Sequence, residues 1–78
     1  MPTEPPPEWV LTHRGVVGRR IRQARIDADL SQVALAELVG IDHKTVHRIE
    51  YGVSDPRLGL LAQLARALRV PLADLVRE

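Results

Sequence analysis

Residues 31–52 read SQVALAELVGIDHKTVHRIEYG, and the fold turns on how this stretch divides. Ser31 is a strong N-cap residue; Leu35, Ala36 and Val39 then recur at helical spacing facing inward, and Gly40 closes the segment. Ala36 is small where a neighbouring helix must pass close. Asp42 caps a second segment that ends at Gly52. At about 100° per residue, Val46 and Ile49 point one way with Thr45 beside them. His43, Lys44, His47, Arg48 and Tyr51 share the other, broad face. A helix built this way docks on its own domain by one side. It offers the other to something negative or rich in hydrogen-bonding groups.

Outward from this pair the helical pattern continues. VSDPR is a turn, with Asp55 expected as cap and Pro56 at the first helical position. The helix that follows carries Leu58, Leu61, Leu64, Ala65 and Leu68 at the right spacing, and Pro71 starts a short fifth helix with Leu72, Leu75 and Val76. Upstream, Val17, Ile21, Ala24 and Ala28 form one apolar stripe flanked by Arg25, whereas Ile26 points to the opposite face as an exposed apolar side chain. That helix should stop at Asp29, a residue type that tolerates the left-handed conformation. Residues 1–13 hold four of the six prolines and no apolar period, so they are expected to be a disordered proline-rich tail. No strand signal occurs anywhere. The expectation is one all-α, five-helix domain over residues 14–78.

Composition narrows the chemistry. The 78 residues suffice for one small core, and without Cys there is neither a disulfide nor a thiolate metal site to support it. Phe is absent, and Trp9 and Tyr51 are the only aromatic residues, so the core must be aliphatic. The net charge of +1 does not by itself argue for a polyanionic partner, although Arg14, Arg19, Arg20, Arg22 and Arg25 crowd one segment. No apolar run approaches the roughly 20 residues that span a bilayer. The acidic, proline-rich start does not resemble a secretory signal, so a cytoplasmic location is expected. Catalysis is not indicated: Ser31 is a cap with no adjacent base, and Gly15 and Gly18 are too sparse for a phosphate-binding loop. His43 and His47 have the i, i+4 spacing of metal ligands, but His13 is the only other histidine, so neither metal nor cofactor is expected.

Three features point to a partner. Two short helices joined by VGID form a helix-turn-helix pattern, and Gln32 occupies the first turn of its first helix, where free N–H groups and the helix dipole favour phosphate. Glu50 falls at the edge of the buried face of the second and needs a partner, for which Arg25 is the natural candidate. The outward set of basic and polar side chains is concentrated where a helix can enter a major groove.

From Ile21 to Val70 the chain resembles the Cro/repressor-type (XRE-like) helix-turn-helix family, similar to phage repressor DNA-binding domains. The matching elements are IRQAR, LSQVALAELVGI, TVHRIEYG and P-x-L-x-x-L-x-x-L-A-x-A-L-x-V. The resemblance implies a lambda-repressor-like five-helix domain that reads double-stranded DNA with its third helix. Base contacts are then expected from His43, Lys44, Thr45, His47 and Arg48. Phosphate contacts are expected from Gln32, Tyr51, Arg57 and Arg20, with Arg25–Glu50 as a structural ion pair. A symmetric homodimer on two half-sites is expected, with Leu72 and Val76 as its contact. Two positions depart from the family pattern: Asp29 stands where glycine is frequent, and Asp42 where serine or threonine is common. The competing expectation is a protein-interaction module of the same fold, an antitoxin or adaptor with an unidentified protein partner. The near-neutral charge, Asp42 and Ile26 favour it.

Overall fold

Helix α1 spans Glu8–Asp27 in the computed structural model, which describes residues 4–78. It is followed by α2 (Gln32–Val39), α3 (His43–Glu50), α4 (Leu58–Leu68) and α5 (Leu72–Val76), and the described residues contain no strand. None of these helices is long and apolar enough to cross a membrane.

The start of α1 corrects the sequence expectation. Residues 1–3 of the expected tail lie outside the described residues, but residues 8–13 are helical. Pro7 is the N-cap residue, its carbonyl accepts the Val10 N–H at 3.0 Å, and Glu8 complements the dipole in the first turn. Proline costs nothing at a helix start, where the N–H groups are unpaired anyway. The proline run therefore marks the beginning of a helix, and Val10 is half-buried two residues inside it.

Each later boundary has a local cause. Asp29 takes φ +58°, and the Leu30 N–H reaches back to the Arg25 carbonyl at 3.1 Å; Ala28 lies beyond the helix and is exposed, so the buried stripe of α1 ends at Ala24. Ser31 Oγ accepts the Ala34 N–H at 2.9 Å and opens α2. Gly40 at φ +80° closes it, with the N–H groups of Gly40 and Ile41 both directed to the Ala36 carbonyl. Asp42 Oδ1 accepts the Lys44 N–H at 2.8 Å at the start of α3. The start of α4 is a second correction: Arg57 is the N-cap residue, extended at ψ 155°, and the helix begins at Leu58, so Asp55 is not the cap and Pro56 is not the first helical residue. Pro56 instead lines a crevice with Val17, Ile49 and Leu61, and that packing takes the place of a helical turn.

The core collects Val17 and Ile21 from α1, Leu35 and Ala36 from α2, Val46 and Ile49 from α3, Leu64, Ala65 and Leu68 from α4, and Leu75 from α5. Each large aliphatic side chain buried here contributes about 1.5–3 kcal/mol. Leu58, expected in the stripe of α4, is instead 69% exposed. Leu72 and Val76, expected as exposed contacts for a second copy, are half-buried against this core. The last helix is thus needed to close the monomer.

Candidate nucleic-acid interface

Helix α3 divides into two faces. Val46, Ile49 and Glu50 are buried, while His43, Lys44, His47 and Arg48 are exposed on the opposite side. Tyr51 follows them, well exposed, its ring centroid 4.5 Å from that of His47. Thr45 is half-buried and lines a crevice with Ser54, Pro56 and Arg57, which places it on the flank toward α4. Arg57 is exposed at the N-cap position of α4.

The cap of α3 contributes a negative charge to this surface. The Lys44 backbone N–H holds the Asp42 carboxyl below the usual aspartate range, opposed by slight desolvation and aided by the nearby charges of Lys44 and Arg48. His43 Nδ1 lies 3.5 Å from Asp42 Oδ1.

Behind the exposed face is a polar cluster joining three helices. Arg25 donates to Glu50 through Nε at 2.7 Å and Nη2 at 3.1 Å, and through Nη1 to the Leu30 carbonyl at 2.8 Å. The Glu50 side chain is fully buried and that of Arg25 is 12% exposed. The hydrogen bonds to Glu50 raise the Arg25 pKa, opposed by burial, so the guanidinium stays charged. Gln32 Nε2 donates to Glu50 Oε1 at 3.1 Å. The side chain expected at a phosphate therefore commits one amide hydrogen inward and has the other left for an outside acceptor.

Arg20 departs most from its expected role. Its Nη1 donates to the Leu75 carbonyl at 3.3 Å and to that of Arg77, which turns it toward α5 and away from α3. The cations beside the reading face are Arg19 and Arg22, which line a notch with Gly15, Glu50 and Tyr51. The sequence held the signal for this: Gly15, Arg19 and Arg22 fall at i, i+4 and i+7, one stripe of α1. Arg14, the first of the arginines crowded along α1, is half-buried, and its Nε donates to the Gly52 carbonyl at 2.9 Å. Among the described residues no three His, Cys, Asp or Glu side chains gather as a metal site.

Residues 21–75 match the helix-turn-helix family HTH_3. The chain belongs to this helix-turn-helix family. An uncharacterised HTH-type transcriptional regulator, y4wC of Sinorhizobium fredii, is 41% identical over 54 residues, 69% of this chain and 38% of its own length. The cryptic phage CTXphi transcriptional repressor RstR of Vibrio cholerae is 34% identical over 59 residues, 76% of this chain and 53% of its own length. The helix-turn-helix chain described here thus spans about half or less of the length of these curated relatives. Among solved structures, the restriction-modification controller protein C.AhdI of Aeromonas hydrophila superposes with a TM-score of 0.79 at 33% identity, over 82% of this chain and 97% of that one. The hypothetical transcription factor NHTF of Neisseria gives 0.79 at 30% identity, over 97% and 85%. In this helix-turn-helix chain, α2 and α3 form the paired motif, and residues 8–20 of α1 lie upstream of the family match.

Proposed function

We propose that this chain is the sequence-specific DNA-binding domain of a bacterial-type, cytoplasmic transcriptional regulator, reading the major groove with α3 and involving no catalytic step. The observation that carries the reading is the exposed row His43, Lys44, His47 and Arg48 directly across the helix from the buried Val46 and Ile49. Lys44 and Arg48 suit guanine O6 and N7, and neutral His43 can donate or accept. His47 and Thr45 complete the base-reading set, Thr45 from the flank toward Arg57. Gln32, Tyr51 and Arg57 hold phosphates and fix the register. Arg19 and Arg22 take the phosphate role first expected of Arg20, because they flank Tyr51 whereas Arg20 is bound to α5. Two copies on half-sites about one helical turn apart would supply the affinity that one small domain lacks. The repressor and controller proteins among the relatives and structural neighbours support this reading.

The test begins with selection of preferred sites from a random duplex pool, followed by affinity measurements across a salt series. Affinity should fall steeply with salt. Lys44→Ala and Arg48→Ala should each relax preference at one base pair, by about 1–3 kcal/mol. Arg57→Ala should weaken all sequences alike. Absence of salt-dependent affinity for any duplex would overturn the reading in favour of a protein-interaction module, for which the exposed Trp9, Leu11 and Ile26 offer surface.

A further inference from the structure

The α3–α4 connection is held from outside the family match. Arg14 lies upstream of residue 21, yet its Nε–H reaches across the fold to the Gly52 carbonyl at 2.9 Å. That carbonyl belongs to the residue after the Tyr51 C-cap of α3, where the backbone turns away from the helix at φ +73°. Carbonyls at the end of α3 are already met by the backbone N–H groups of Tyr51, Gly52, Val53 and Ser54. The Gly52 carbonyl lies in the turn beyond them, and a part-buried carbonyl there needs a donor. A guanidinium there also complements the negative end of the helix dipole.

The contact is close along its whole length. A Cβ at Gly52 would stand 3.0 Å from Gly15 Cα, and one at Gly18 would stand 2.3 Å from the Ile49 carbonyl oxygen. Backbone therefore meets backbone where α1 crosses the last turn of α3, and Arg14 fastens the outer end of that crossing. Beyond Gly52 the chain runs through Val53–Asp55 to Pro56 and then to Arg57. Pro56 and Asp55 line the same crevice as Arg14.

We propose that Arg14 is a positioning residue for DNA reading: through its hydrogen bond to Gly52 it fixes where α3 ends and where Arg57 begins. The inference rests on the DNA-reading proposal and adds a residue that the helix-turn-helix motif itself does not contain. A reading site must be held within about 0.5 Å by groups behind it. Loss of this bond should therefore lower affinity for the selected site more than for random duplex.

The experiment compares Arg14→Gln with Arg14→Met in the full chain. Glutamine places an amide N–H at the same bond count from Cα as the arginine Nε. Methionine has similar length and no donor. Both remove the charge, so their difference isolates the hydrogen bond. Arg14→Met should lower the ratio of selected-site to random-duplex affinity about three- to tenfold, the size of one net hydrogen bond. Arg14→Gln should restore most of it. Equal ratios for the two variants, or a fall in melting temperature with an unchanged ratio, would overturn the proposal. Should Arg14→Met fail to fold, NMR of the wild-type chain decides: the Arg14 Nε–H should exchange slowly and shift on addition of selected duplex. Rapid exchange would overturn it. If the wild-type chain binds no duplex, the DNA reading fails and takes this inference with it, a result distinct from a wild-type binder whose Arg14 variants keep their ratio.

Discussion

Asp29 and Arg69 both carry left-handed backbone, at φ +58° and +59°, and they differ in what that costs. The short side chain of aspartate can bond locally and offsets part of the strain, which made its turn legible in the sequence. Arginine has no such compensation, and nothing in ALRV announced a left-handed residue at Arg69. The conformation costs about 1–2 kcal/mol, and glycine forfeits roughly 0.5–1 kcal/mol of that gain through the entropy of its unfolded chain. Arg69→Gly should therefore stabilise the domain by about 0.5–1 kcal/mol, seen as a higher urea midpoint at unchanged slope. The charge of Asp42 makes the α3 cap sensitive to pH. Folding lowers its pKa, so the folded state resists protonation more than the unfolded chain does. Its stabilising effect is thus complete above the ordinary aspartate pKa and is lost as pH falls through the depressed folded value. An NMR titration should place the Asp42 midpoint below that of an unstructured aspartate, and an ordinary midpoint would contradict the cap. Asp42→Ser keeps a capping oxygen without the charge, and should raise affinity for selected and random duplexes alike by removing repulsion from phosphate.

At the scale of elements, the caps of α2 and α3 were readable because each is set by one or two local residues: Ser31 and Gly40, Asp42 and Gly52. The starts of α1 and α4 were not, since a proline can either open a helix or stand before one in non-helical chain, and its neighbours in sequence do not decide between the two. Pro7 begins a helix, and Pro56 stays extended against Val17 and Ile49. The crossing of α1 over α3 was equally hidden, although Gly15 and Gly18 stood in plain sight three residues apart. Gly18 shows which effect wins. In an isolated helix Gly→Ala gains about 0.5–1 kcal/mol. Here the added Cβ would meet the Ile49 and Glu50 carbonyl oxygens at 2.3 and 2.7 Å, and both atoms belong to rigid backbone. Overpacking of this kind costs about 1–3 kcal/mol, so Gly18→Ala should destabilise on balance. A lower melting temperature checks it. A higher one would mean that α1 can lift from α3, which would also loosen the reading helix.

For the molecule as a whole, the exposed face of α3 was legible because a single helix period generates it, whereas the supporting contacts are tertiary. The inward turn of Gln32, the diversion of Arg20 to α5 and the half-burial of Leu72 and Val76 follow from how helices meet, which no local pattern encodes. The Arg25–Glu50 pairing was anticipated from angular position, but its bonds to Leu30 and Gln32 were not. Together they make one polar cluster out of α1, the α1–α2 turn, α2 and α3, so its loss should be felt globally. Glu50→Ala would leave Arg25 charged with 12% exposure and Gln32 without its acceptor. Breaking a buried pair from one side costs about 3–5 kcal/mol. That is a large part of the roughly 5–15 kcal/mol that holds a typical domain together. Replacing both partners with apolar residues removes the unpaired charge as well as the attraction, and often costs far less. The double variant Arg25→Met/Glu50→Leu should therefore melt above Glu50→Ala, although Gln32 would still lack its partner. If the single variant melts within a degree or two of the wild-type chain, the cluster is not what fixes α3 against α1. The crossing at Gly15 and Gly18 would then have to carry that duty alone.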